Sequence, residues 1–199
     1  AELRRVLPVL EELGGEIPLS IDTSKAEVAR RALAAGAELV NDVTALRGDP
    51  ELAGVVAGSE AFLCLMHMLG APRTMQESPR YEDVVSDVAA FLEERLAAAV
   101  GAGIPEERIC LDPGIGFGKT VEQNAELLRR LDVLIGLGRP VLVGFSRKRS
   151  LGRMLGDPDA TTGSLAASLA AAVSAHANGA TIHRVHDVEE TLQALTVAD

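Results

Sequence analysis

Aromatic residues are nearly missing from this chain. It has no Trp, one Tyr and four Phe, 3% in all, although 47% of its 199 residues are hydrophobic. Its core must therefore be built from Ala, Val, Leu and Ile. Cysteine is equally scarce: Cys64 and Cys110 lie inside apolar runs, away from any His or Cys at metal-ligand spacing, and read as buried free thiols of a reducing compartment. No stretch is long and apolar enough to span a bilayer and no signal peptide opens the chain, so a cytoplasmic location is expected. Positive charge is short as well. The net charge is −10, and only Lys25, Lys119 and Lys148 are lysines. That balance opposes broad binding to nucleic acid or anionic membranes, and an anionic small molecule would need a local basic patch.

What is present is a repeating pattern over a length that suits one domain, residues 1–199. Strands are expected at 17–22, 39–43, 61–67, 109–111, 140–145 and 181–186. Helices are expected at 1–13, 24–35, 50–57, 84–100, 120–136, 147–155, 162–178 and 188–195. The strands are short, apolar on both faces and always separated by helices, which signals a parallel sheet covered on both sides. No linker or low-complexity segment interrupts the pattern.

The richest stretch is Leu111-Asp-Pro-Gly-Ile-Gly-Phe-Gly-Lys-Thr120. A strand ends at Asp112 because Pro113 cannot donate to a ladder, and alternating glycines allow a loop with close backbone approach. Thr120 then opens a helix. Two phosphate motifs nearly fit and both fail: the P-loop would need Gly where Pro113 stands, and the dinucleotide fingerprint would need its third Gly where Lys119 stands. Other polar residues also collect at strand C-termini: Asp22, Asn41, His67, Ser146 with Lys148, and Arg184 with His186. In a barrel of parallel strands that face holds the active site, and the loops after the last two strands often hold phosphate. Here those loops bring Arg147, Lys148, Arg149, Arg184 and His186, a cationic patch in an acidic protein.

Six motifs, in order and spacing, resemble the dihydropteroate synthase family. They are Ser20-Ile-Asp-Thr23, Val40-Asn-Asp-Val43, Met66-His-Met68 with Pro72-Arg-Thr-Met75, the Asp112 loop, Gly144-Phe-Ser-Arg-Lys-Arg149 and Arg184-Val-His-Asp187. The resemblance implies an α/β fold of the (β/α)8 TIM-barrel type, with about six βα units in this chain. The family's first two strands would precede residue 1, which reads as a truncated sequence; the family's magnesium-binding Asn would lie there, so no metal ligand is expected among these residues. A family Asp of the pterin pocket likewise has no counterpart.

The reaction so implied joins 4-aminobenzoate to 6-hydroxymethyl-7,8-dihydropterin pyrophosphate and releases pyrophosphate, with Mg²⁺ as cofactor and a homodimer as the usual assembly. Asp112 would take the pterin ring donors, Asn41 the opposite edge, and Lys148 the ring acceptors. Val43, Met66 and Gly144 would form the slot, Gly144 because a side chain would collide with the ring. A buried carboxylate at Asp112 calls for a partner or ligand. Arg184 and His186, two apart on a strand and hence on one face, would cradle pyrophosphate together with the following helix N-terminus. Asp22 would stabilise a cationic methylene-pterin, while Phe117, Ser146 and Lys148 would shape the aminobenzoate site. Asp22 could instead cap a helix, and Asn41 could merely end its strand. His67 reads as a structural histidine. The rival readings are a pterin-binding methyltransferase domain, which has no demand for a pyrophosphate cradle, and a non-catalytic fragment.

Overall fold

Alternation of buried strands with amphipathic helices is what the computed structural model shows for residues 2–70, 75 and 79–199. The expected helix start at residue 1 and the Pro72-Arg-Thr segment lie outside the described residues. Backbone contacts divide the chain into two units, one of residues 1–67 with Phe91–Leu111, the other of Met68–Ala90 with Asp112–Asp199.

In the first unit the order is α1 (Leu3–Leu13), β1 (Leu19–Asp22), α2 (Ala26–Ala34), β2 (Ala37–Asp42), α3 (Leu52–Ala57) and β3 (Phe62–Met66). Helix α4 (Val84–Gly101), in this unit from Phe91 on, follows, and a short 3₁₀ turn leads into β4 (Ile109–Asp112), whose last residue is counted with the second unit. The sheet order is β1-β2-β3-β4, with β1 parallel to β2 and β2 parallel to β3. Each strand is added beside its predecessor, so the order never reverses as it does in a doubly wound sheet. Val40, Leu63, Cys64, Leu65, Met66 and Leu111 are fully buried, as strands covered on both faces require. Both cysteines are buried and free.

The second unit continues with α5 (Val121–Arg129), α6 (Leu131–Ile135), β5 (Leu142–Val143), α7 (Arg149–Met154), α8 (Leu165–Ala177), β6 (Ile182–His183) and α9 (Val188–Ala198). Strands β5 and β6 pair in parallel. Thr120 and Gln123 form a reciprocal capping box at α5, and the Ser164 hydroxyl accepts the Ala167 N–H at α8.

Three expectations need correction. The single helix from Thr120 to near Gly136 is two helices, because Arg130 leaves the helical region at φ −111°, ψ 34°. The strands expected at 140–145 and 181–186 are only two residues long, their outer residues running as connected loop. The helix expected from Arg147 starts at Arg149, since Arg147 takes a left-handed φ of 56° and Lys148 an extended one.

Candidate active site

Each unit gathers its polar side chains where its strands end. In the first, Asn41 Nδ2 donates to Asp22 Oδ2 at 3.3 Å, with Asn41 buried and Asp22 exposed. Asp22 caps no helix: α2 begins at Ala26, whose N–H is taken by Asp49 at 2.8 Å, while Thr23 Oγ1 accepts the Lys25 N–H. Asn41 does not end its strand either, since β2 runs on to Asp42. Val43 is half-buried in the loop after β2, and Met66 is fully buried as the last residue of β3. His67 is buried edge-on to Phe91, ring centres 4.9 Å apart, and the Arg47 guanidinium lies over the same ring at 4.7 Å. A structural role for His67 accords with that packing.

A residue that the motifs do not single out holds this corner. Asp42 is fully buried, and its carboxylate accepts the N–H and hydroxyl of Thr44 (2.8 and 2.7 Å) and the Leu46 N–H (2.6 Å). These bonds hold Ala45 and Leu46 at φ of 51° and 63°, where residues with a Cβ are strained.

In the second unit, Asp112 is fully buried, and the partner its burial demands is Arg184, whose Nη2 donates to Oδ2 at 2.7 Å. The other carboxylate oxygen accepts the Gly114 N–H at 2.7 Å. Two lysines feel the same charge. Burial pushes the Lys148 ammonium below the ordinary lysine range, with Asp112 opposing the shift and Arg184 adding to it. Lys119, buried, is driven down to about 7 by desolvation, with Asp112 again opposing and Lys148 adding. The Lys148 Nζ sits 4.6 Å from the Phe117 ring centre, an ammonium–aromatic contact.

The glycines here have distinct jobs. Gly118, at φ 66°, could carry no side chain, because a Cβ would stand 2.8 Å from the Leu69 carbonyl oxygen. At Gly144 a Cβ would stand 3.2 Å from Arg184 Nη2. The neighbour that a side chain at Gly144 would crowd within the protein is thus the guanidinium, which would have to give by a few tenths of an ångström.

The shared strand face expected for Arg184 and His186 is also corrected. Strand β6 ends at His183, and Arg184 extends its ladder by one N–H to the Val143 carbonyl (2.9 Å). His186 lies in the loop beyond, fixed by Ser146: the Ser146 Oγ accepts the His186 N–H (3.1 Å) and stands 2.9 Å from Nδ1. With the hydroxyl donating to Nδ1, the neutral ring carries its proton on Nε2. Arg147 is partly neutralised within the cationic group, its Nε and Nη2 donating to the Asp187 carboxylate. The second unit also holds a cavity of about 800 Å³ whose lining includes Phe117, Lys119, Asn124, Arg147, Lys148 and Arg153, but not Asp112, Ser146, Arg184 or His186.

So the structure joins Asp22 with Asn41, Asp112 with Arg184, Phe117 with Lys148, and Ser146 with His186. It adds Asp42 and Lys119. Lys119 carried a signal, as one of three lysines in an arginine-rich set and set inside a glycine loop.

A pterin binding enzyme family model matches residues 1–186. The chain belongs to that family. Members similar to it include the dihydropteroate synthase of Synechocystis, 46% identical over 200 residues, which span all of this chain and 69% of the relative. The Xanthomonas albilineans dihydropteroate synthase in complex with 7,8-dihydropteroate superposes with a TM-score of 0.88 at 47% identity, covering 98% of this chain and 72% of the other. The Thermus thermophilus dihydropteroate synthase in complex with 4-aminobenzoate gives 0.91 at 46%, covering 99% and 76%. Pterin-binding enzymes of this kind are TIM barrels, and the chain has their α/β fold class.

Proposed function

We propose that this pterin-binding enzyme is a dihydropteroate synthase acting as one barrel domain over residues 1–199. The reaction breaks the C–O bond between the pterin methylene and pyrophosphate and forms a C–N bond to 4-aminobenzoate, whose amine gives up a proton. The observation that carries the reading is the buried Asp112 with Arg184 on one oxygen and two lysines about it, Lys119 and Lys148, both of which also line a cavity with Phe117. A buried carboxylate can grip the N–H edge of a pterin, and cations beside it suit a ligand that is both a hydrogen-bond donor and an anion.

We assign the roles as the family resemblance implies them, with the contacts as support. Asp112 accepts ring N–H groups, and Arg184, already bound to it, presents its remaining donors to the departing pyrophosphate. His186, held through Nδ1, offers Nε2–H to the same anion. Lys148 donates to ring acceptors and, over Phe117, shapes the place of 4-aminobenzoate with Ser146. Gly144 keeps the guanidinium close. To Asp22 and Asn41, paired in the first unit, we assign stabilisation of the cationic methylene and a ring edge, with Val43 and Met66 as slot walls.

Mg²⁺, when bound, neutralises a leaving pyrophosphate. Among the described residues no group of three His, Cys, Asp or Glu stands together that could hold a metal ion. A homodimer is supported by exposed Val188 and Leu192, one turn apart on α9. We infer a cytoplasmic location; no helix among the described residues is long and apolar enough to cross a membrane.

Calorimetric titration with 6-hydroxymethyl-7,8-dihydropterin pyrophosphate, against the same pterin without pyrophosphate, tests the reading. The pyrophosphate form should bind at least about tenfold tighter in the wild type, and Arg184→Met should remove most of that difference. Equal affinities for the two forms, or release of no dihydropteroate on adding 4-aminobenzoate, would refute it.

A further inference from the structure

Lys119 stands near Asp112 but turns its amine to the backbone, and it is the one buried lysine or arginine among the described residues. Its Nζ donates to the Gly114 carbonyl at 3.0 Å and to the Phe117 carbonyl at 3.1 Å. The Phe117 N–H donates to the same Gly114 oxygen at 3.0 Å, so the two carbonyls bracket one tight turn. On that turn rides the ring under the Lys148 ammonium, and the Lys148 stem passes Gly116, 3.5 Å from where a Cβ would stand. Other parts of the loop have their own ties: Asn124 Oδ1 takes the Gly116 N–H and Tyr81 donates to the Gly118 carbonyl.

We propose that Lys119 is a positioning residue of this reaction, its amine tying the Gly114 and Phe117 carbonyls together and so setting where the Phe117 ring and Lys148 meet 4-aminobenzoate. The assignment rests on the synthase reading. Burying an amine is unfavourable, as its lowered proton affinity records, and a space-filling role would be met better by an apolar side chain. A neutral amine still has two N–H groups, one for each carbonyl.

The test compares Lys119→Met, similar in length and without donors, with Lys119→Gln, which keeps an N–H₂ group. In steady-state kinetics the methionine variant should raise KM for 4-aminobenzoate about tenfold or more and leave KM for the pterin pyrophosphate within about twofold. The glutamine variant should recover part of the loss. Hydrogen exchange of the substrate-free protein, read on peptides covering 113–118, should quicken in the methionine variant. Should the wild type show no turnover, the synthase reading fails while the exchange still judges the tie. Unchanged KM values overturn the proposal, whether or not exchange quickens. If the methionine variant does not fold, a folded glutamine variant with wild-type KM overturns it and one with a selectively raised aminobenzoate KM supports it.

Discussion

Lys119 also makes a statement about stability. Its native proton affinity, near 7, lies below that of an unfolded lysine at 10.5. Between those values the unfolded chain holds more protons, so stability rises with pH. The charges facing the amine are Asp112 at the end of β4 and Lys148 before α7. From about pH 7 to about pH 9.5 the wild type should gain on the order of 3 kcal/mol from this group, and Lys119→Met should lack that gain. Urea unfolding at the two pH values reads the difference, and parallel pH curves for the two proteins would contradict it. The sequence marked Asp112, Lys148 and Arg184 as functional because a charged group at the end of an apolar strand is costly to place unless it meets a partner or a ligand. It could not show that Arg184 reaches Asp112, since a contact across 72 positions depends on how two strand ends meet.

At the level of elements, the loop after β2 is the clearest case of one side chain sustaining a shape. Asp42 holds two residues in a left-handed conformation, and Arg95 Nε braces the Ala45 carbonyl at 2.8 Å. Asp42→Ala removes three bonds and leaves half-buried donors unmet, so it should destabilise the protein by about 2–4 kcal/mol in denaturant unfolding. A loss under about 1 kcal/mol would mean the loop stands without it. Element existence was readable except for the separate helix α6, because apolar runs and glycine stops recur. Ends were less so. The break at Arg130 carries no Gly or Pro, and its Arg130–Asp83 bond at 2.8 Å is a tertiary contact that periodicity does not encode. The expected strand 181–186 was overrun for a similar reason: Arg184 and His186 are fixed by side chains and ladder ends from other segments, not by a strand of their own.

For the whole molecule, charge sets the approach of substrates. A net charge of −10 repels anions at long range, while Lys148, Arg149, Arg153 and Arg184 attract them locally. Salt screens both, but the local attraction outweighs the distant repulsion once ligand and site are in contact. Affinity for the pterin pyrophosphate should therefore fall with added salt more steeply than affinity for the uncharged pterin. Titrations at about 0.05 M and about 0.5 M salt, over which the Debye length falls from about 14 Å to about 4 Å, read the two slopes; equal slopes would place the anion away from these cations. The small gap beside Gly144 has its own consequence. Backbone geometry there does not demand glycine, and the atoms a methyl group would crowd belong to a half-exposed guanidinium able to move. Change at residue 144 would press first on the guanidinium that neutralises Asp112, so its effects on ligand preference and on stability would both pass through that one ion pair.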